Sequence, residues 1–430
     1  MTLRPSWQVV RLADVCEYVT VGHVGPMADQ YVDTGVVFLR SQNVQPFRLD
    51  LRDVKYIPPD FHRKLRKSAL SGGDVVIVRT GYPGTAAVVP RIFPEANCAD
   101  LVILRPGRRL DPWFLACIFN SSWGKGAVSG SLVGVAQQHF NVSVAKNLRV
   151  ALPPITIQQR IAGILSAYDD LIENNTRRIA ILEEMTRRLF DEWFVHFRFS
   201  GHETAKLVDS PLGPLPETWS IKSLAFVCEQ PNGIQTGPFG SQLHQSDYTP
   251  LGVPVVMPKN LIGLRIVEDG IARIPEELAE QLSRHRMEVG DIVYGRRGDI
   301  GRRAFISKRE SGWFCGTGCL RLRPNGQKIE PRFLFDALGL RATDGAIKGR
   351  AQGATMPNLS SGAMAGVPIL YPPRTLQRRY GQIVEENAQL CAILSVANVR
   401  LAASRDLLLP RLISGEIDLA AADRLPEAAD

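Results

Sequence analysis

The sequence predicts an α+β protein with a pseudo-twofold internal repeat, in which two globular modules alternate with two long helices paired as an antiparallel coiled coil. Two observations predict this: similar residue sets recur 212 to 219 positions apart, and each set ends in a Pro-Pro pair followed by a heptad pattern. Trp7, Leu12, Val15, Cys16 and Glu17 recur as Trp219, Leu224, Val227, Cys228 and Glu229. Gly73, Asp74, Arg79, Gly81 and Gly84 recur as Gly290, Asp291, Arg296, Gly298 and Gly301, and Pro153, Pro154 and Gln158 as Pro372, Pro373 and Gln377. Small loop insertions in a duplicated domain produce such a drifting register. With 430 residues, 45% of them hydrophobic, the chain has material for two cores of ordinary size.

The expected order is a first module over 1–154, a long helix over 155–198, a linker over 199–214, a second module over 215–373, a second long helix over 374–414 and a tail over 415–430. Within the modules, the β-branched runs at 36–39, 74–78, 252–256 and 291–294 are bounded by Gly, Pro and Asn, as strands are. Residues 60–70 and 275–284 read as intervening helices. Such a mixture fits an α/β or α+β domain.

After Pro154, core positions spaced four and three apart fall at Ile157, Ile161, Ile164, Tyr168, Leu171, Asn175, Arg178, Leu182, Met185 and Leu189. Adding 219 gives Leu376, Tyr380, Ile383, Asn387, Leu390, Leu394, Ala397, Leu401, Ser404 and Leu408. A seam held for so many turns predicts coiled-coil packing, and the simplest partner for each helix is the other. Ile157 to Phe194 would span roughly 57 Å, longer than the ~34 Å turn of B-DNA. Asn175 and Asn387 interrupt the seam, either as tolerated polar defects or as devices that fix register. Glu173 with Arg177, Glu183 with Arg187 and Glu184 with Arg188 stand at the helical pairing distance. Phe190, Trp193, Phe194 and Phe197 end the first helix, as core or as an anchor for a partner; Pro410 meets the second helix at the corresponding place.

Lys plus Arg exceed Asp plus Glu by 51 to 43, for a net charge of +8, which favours an anionic partner. The seven cysteines are scattered without metal spacing and read as reduced, buried thiols. No charged-then-apolar leader and no stretch long enough to span a membrane is evident, so a cytoplasmic protein is expected.

The order of parts resembles the specificity (S) subunits of type I restriction–modification systems. The resemblance is carried by the Trp7 and Trp219 module starts, by Gly35-Val-Val-Phe-Leu-Arg-Ser-Gln-Asn43 and Gly252-Val-Pro-Val-Val-Met-Pro-Lys-Asn260, and by the Gly-Asp strands. Leu152-Pro-Pro-Ile-Thr-Ile-Gln-Gln-Arg160 and Leu408-Leu-Pro-Arg-Leu-Ile-Ser-Gly-Glu-Ile-Asp418 complete it. The resemblance implies that 1–154 and 215–373 are target recognition domains, each reading one half of a bipartite, asymmetric site in double-stranded DNA. It implies that the helices set the gap between the halves and dock two methyltransferase (M) subunits, with restriction (R) subunits joining the full complex.

DNA contact requires Lys or Arg for phosphates and planar donors for base edges. In the first module the candidates are Arg40, Gln42 and Asn43 after a strand, Arg63 and Lys64 in a basic helical run, Arg79 and Tyr82 in a glycine loop, and Gln137 and Gln138 before the final strand. In the second they are Lys259 and Asn260, and Arg296, Arg297, Arg302 and Arg303, four arginines in eight residues. Each asparagine has an alternative role, stabilising its own turn. The loop Gly237-Pro-Phe-Gly-Ser-Gln242 is a further backbone-clamping candidate.

Catalytic motifs are missing from the sequence. The Pro-Pro pairs follow Ile57, Leu152 and Tyr371 and precede no aromatic, unlike the adenine-holding motif of a methyltransferase. Gly316-Thr-Gly318 is a fragment of a cofactor loop, and Gly124-Lys125 lacks the upstream glycine of a phosphate loop. The chain is expected to bind no cofactor or metal and to leave chemistry to partner subunits. A coiled-coil scaffold that binds proteins rather than DNA, and a cryptic enzyme, are the alternatives from other classes.

Overall fold

The computed structural model describes residues 7–130, 140–210, 213–353 and 357–419. They form two compact units, Met1–Arg178 with Ile393–Asp430, and Ile179–Ala392. Each unit therefore contains one module, the helix segment that leaves it, and a segment of the other long helix.

In the first unit a four-stranded antiparallel sheet runs Cys16–Val21, Leu101–Pro106, Val75–Val78, Ala86–Val88. Every residue of Val75–Val78 is buried, which explains its unbroken apolar run. In a second sheet Val36–Leu39 pairs antiparallel with Lys55–Ile57 and parallel with Ala96–Cys98, which pairs in turn with Ala69–Leu70. Gln8–Arg11 pairs with Arg149–Leu152, joining the module's start to its end. Asp111 caps the helix Pro112–Asn120 by accepting from the Phe114 N–H at 2.9 Å, with Pro112 in the first turn. That helix buries Phe114, Leu115, Ile118 and Phe119 in one core with Val75, Ile77 and Leu104, about 1.5–3 kcal/mol for each large side chain.

The second unit repeats the order: Ile234–Thr236, Cys319–Leu322, Ile292–Gly295, Arg303–Phe305 in one sheet, and Ala272–Ile274, Val253–Val256, Phe314–Cys315 in another. Ser220–Ser223 with Pro368–Tyr371 joins start to end. Among the described residues each module has one parallel strand ladder, Val36–Leu39 with Ala96–Cys98 and Val253–Val256 with Phe314–Cys315. The remaining ladders are antiparallel, so the fold is α+β.

The repeated Gly-Asp pair is structural. Gly73 and Gly290 take positive φ angles of 95° and 93°. The buried carboxylates that follow each accept twice from one arginine, Asp74 from Arg105 Nε and Nη2 at 2.8 Å and Asp291 from Arg323 Nε and Nη2 at 2.9 and 2.8 Å. The backbone N–H groups of Ser71 and Glu288 add a third bond at 2.7 Å.

The long helices span Ile155–Phe190, continued by a π-helical turn at Asp191–Val195, and Arg374–Ser414. Pro410 does not end the second helix, which runs on to Gly415 at φ 75°. Gln158 and Gln377, matched in sequence without an assigned role, are fully buried latches at the helix starts. Gln158 accepts from the Asp111 N–H at 2.9 Å and donates to the carbonyls of Arg109 and Pro153 at 2.9 and 2.8 Å. Gln377 accepts from the Glu330 N–H at 3.0 Å and donates to Pro372 at 2.7 Å.

Within each unit the two helix segments run antiparallel. In the first, Asp169 pairs with Arg405, Asn175 with Asn398, and Arg160 donates to the Leu419 carbonyl at 3.0 Å. In the second, Asn387 donates to Thr186 Oγ1 at 3.3 Å, and the Phe190 and Tyr380 rings lie 5.7 Å apart. Half of the expected seam is corrected. Ile161, Tyr168, Asn175, Leu182 and Leu189 are buried or half-buried, as are Tyr380, Asn387, Leu394, Leu401 and Leu408. The alternating positions shift by one residue in both helices: Leu165, Ile172, Ile179 and Thr186, and Val384, Cys391, Asn398 and Arg405. Leu165 is 0% exposed, whereas Leu171 and Met185 are 51% and 54% exposed. Adjacent apolar pairs such as Ile164-Leu165 and Leu171-Ile172 make the two phases indistinguishable by hydropathy alone.

The aromatic end of the first helix is core: Phe190 and Phe194 pack with Trp219, Phe333 and Tyr380. Leu409, Leu412 and Ile413 of the second helix enter the first module's core. Glu173–Arg177 and Glu184–Arg188 form, but Glu183 pairs with Arg265 of the second module, and Arg187 with Glu184 and Asp191.

Candidate nucleic-acid interface

The two strand-exit turns are built alike. Asn43 Oδ1 accepts from the Arg40 N–H at 3.0 Å while its Nδ2 donates to the Asp50 carbonyl at 2.9 Å. Asn260 does the same with the Met257 N–H at 3.0 Å and the Val267 carbonyl at 3.2 Å. Both asparagines are buried, with their hydrogen-bonding groups committed to the turn; the turn role prevails over base reading. Arg40 and Gln42 both donate to Asp53, at 3.1 and 2.8 Å. The Arg40 hydrogen bond, then that of Lys55, holds the Asp53 carboxyl below its usual range. Lys259 is exposed.

The glycine loops differ between the modules. Arg79 Nη1 meets Asp100 Oδ1 at 2.6 Å and its Nε donates to the Phe140 carbonyl at 3.1 Å, so its charge is balanced locally. Tyr82, at the tip of the same loop, is 86% exposed. Arg296 is only 4% exposed; its Nη1 donates to Asn358 Oδ1 at 3.1 Å and to the Leu359 carbonyl at 3.5 Å. Burial, then neighbouring Arg297, lowers its pKa from the usual arginine value.

Arg297 is exposed, and Arg302 pairs with Asp299 at 2.8 Å. Arg303 is corrected: it is buried, donates from Nε to the Phe335 carbonyl at 2.9 Å and lies 5.1 Å from that ring's centroid. It ties its strand to the helix Pro331–Ala337. Arg63 and Lys64 end the exposed face of the helix Pro59–Lys64, with Arg63 paired to Asp60. Gln137 and Gln138 lie outside the described residues.

The geometry thus separates two classes among the arginine candidates. Arg79 is half-buried and Arg296 and Arg303 are buried, whereas Arg297, Lys64, Lys259 and Tyr82 present exposed side chains. Sequence reasoning missed Asp100, and it placed Phe239 in a backbone-clamping loop and Asn358 in a loop before the final strand rather than beside Arg296. The available signal was the Cys98/Cys315 match, which aligns Asp100 with Thr317.

Burial raises the thiols of Cys98, Cys117, Cys228 and Cys315 above the usual range, as for unreactive core cysteines. Among the described residues, no three His, Cys, Asp or Glu side chains gather as a metal site, and no helix is long and apolar enough to cross a membrane.

A doubled α+β module, each copy followed by a long helix and carrying exposed basic loops, defines the class of fold. Residues 5–184 match the family described as type I restriction modification DNA specificity domain. The MjaIX type I restriction enzyme specificity subunit of Methanocaldococcus jannaschii is 24% identical over 278 residues, 64% of this chain and 62% of that protein. The MjaVIII specificity subunit of the same organism is 22% identical over 293 residues, 67% of this chain and 63% of that protein. The chain thus spans somewhat less than two thirds of the length of these relatives. The crystal structure of a type I restriction–modification S subunit from M. genitalium shares the fold, with a TM-score of 0.62 at 17% identity, over 96% of this chain and 98% of that one. The family likeness thus covers residues 5–184, the first module and most of the first long helix.

Proposed function

We propose that this chain is the DNA-reading, non-catalytic subunit of a cytoplasmic type I restriction–modification complex. Each module reads one half of a bipartite, asymmetric target in double-stranded DNA, and the paired helices set the gap between halves. The helices and module flanks dock two methyltransferase subunits, restriction subunits complete the assembly, and the partners bring the cofactors and the chemistry. The observation that carries this reading is a module repeated in its framework but not in its loops. The Gly-Asp strands, asparagine turns and glutamine latches recur, whereas Arg79-Thr-Gly-Tyr-Pro-Gly84 stands against Arg296-Arg-Gly-Asp-Ile-Gly301. Reuse of a scaffold with divergent exposed loops fits two different half-sites.

The test is selection of duplexes from a random library by the full chain together with its methyltransferase partner, across a salt series. A split consensus, with affinity falling steeply as salt rises, supports the reading. Weak, sequence-insensitive binding with a slope near zero overturns it in favour of a protein-binding scaffold.

A further inference from the structure

The second module contains a buried arginine that has lost its counter-charge. Strands Ala96–Cys98 and Phe314–Cys315 hold the same place in their modules, Cys98 aligned with Leu39 and Cys315 with Val256 in the parallel ladder. Two residues further on stand Asp100 and Thr317. Asp100 neutralises Arg79. Thr317 instead donates its hydroxyl to the Pro238 carbonyl at 3.0 Å, and among the described residues no carboxylate pairs with Arg296. The Arg296 Nε is buried without a hydrogen-bond partner. An uncompensated, desolvated charge is costly unless an anion approaches.

Three segments meet at Arg296, two at its main chain and one at its guanidinium. The Arg296 N–H donates to Gly318 at 2.9 Å, the Leu359 N–H donates to the Arg296 carbonyl at 2.9 Å, and the Phe239 ring lies 5.8 Å from the guanidinium carbon. Phe239 is 53% exposed, yet its loop is clamped: a Cβ on Gly237 would collide with the Gly316 carbonyl, and the Gln242 N–H donates to the Phe239 carbonyl at 2.8 Å. The first module sets Val24, 66% exposed, at the equivalent place behind Gly22, where a Cβ would meet the Cys98 carbonyl at 2.8 Å. Each module therefore presents one apolar side chain from a rigid loop, a different one in each.

We infer that Arg296, Arg297 and Phe239 form a DNA-contact site in which the unneutralised charge draws a phosphodiester and the Phe239 ring reads the 5-methyl group of a thymine. An apolar side chain facing that methyl is one of the direct readouts of the major groove, and rigid support lowers the ordering cost of contact. This deepens the proposed DNA-reading function and rests on it.

The experiment uses the full chain, selected duplexes and two variants, with thermal denaturation to confirm folding. Thr317→Asp restores the acid found in the first module; it is expected to weaken binding at least about tenfold near 0.1 M salt, flattening the log–log salt slope by about one. Phe239→Ala is expected to relax preference at a single thymine of one half-site, and replacing that thymine by deoxyuridine is expected to weaken wild type but not the variant. If wild type binds a split consensus while both variants keep its slope and preferences, the site is overturned and the DNA-reading function stands. If wild type selects no sequence, both fall.

Discussion

Asn175 and Asn398 face each other across the paired helices of the first unit, Nδ2 of the former donating to Oδ1 of the latter at 2.9 Å. Asn398 also donates to the Ile172 carbonyl at 3.3 Å and to Thr176 Oγ1 at 3.2 Å. A polar pair in the seam penalises sliding, because one heptad of slip would break the amide–amide hydrogen bond.

Asn175→Leu strands the Asn398 amide oxygen. A loss of about 1–3 kcal/mol is expected, read as a lower denaturant midpoint with unchanged slope. The double variant with Asn398→Leu should recover much of it, since removing both partners leaves neither unsatisfied; failure to recover would show that the pair does not act as a unit.

Gln158 and Gln377 bind backbone groups that no other side chain satisfies in the observed arrangement. Gln158→Ala leaves the Asp111 N–H and the Arg109 and Pro153 carbonyls without this partner, and a cost of about 1–3 kcal/mol follows, chiefly from the buried Pro153 carbonyl. Hydrogen exchange should quicken first at Asp111. Unchanged protection there would contradict the latch role.

Asp336 accepts from the Tyr380 hydroxyl at 2.7 Å, and burial pushes its pKa up to about 6 although Tyr380, Arg303 and Arg332 oppose the shift. Because the folded pKa exceeds the ordinary value near ~3.9, the carboxyl favours folding fully below about pH 4, and that contribution is lost as pH rises through about 6. Asp336→Asn keeps an acceptor for Tyr380 and carries no charge. The variant should exceed wild type in stability at pH 8, by at most about 3 kcal/mol, and the gap should close near pH 4. A gap independent of pH would remove Asp336 from the titration.

Arg303 and Arg297, six positions apart, should separate cleanly in experiment. Arg303→Ala is expected to lower the thermal midpoint, because the Phe335 carbonyl loses its donor. Arg297→Ala should leave the midpoint in place while weakening DNA binding and reducing the salt slope by about one. Reversed outcomes would exchange their roles.

Architecture was legible in the sequence because duplication supplies its own control: a residue kept at the same place in both copies, such as Asp74 with Asp291, marks what the scaffold requires. The interface was less legible. Arginine in a glycine loop is equally suited to a phosphate and to a backbone carbonyl, and only burial distinguishes Arg303 from Arg297. The loop of Phe239 reads in sequence only as a backbone clamp, because exposure of an aromatic is invisible to hydropathy, and the helix phase is ambiguous by one where neighbours such as Ile164 and Leu165 are both apolar.

The assignment of 393–414 to the first unit has a consequence in time. During synthesis the first module emerges well before the helix segment that packs with Leu165 and Ile172, and the intervening stretch takes on the order of 10–40 s at about 5–20 residues per second. For that interval the nascent chain carries an open apolar seam, closed at last by its own final segment or shielded meanwhile by a chaperone.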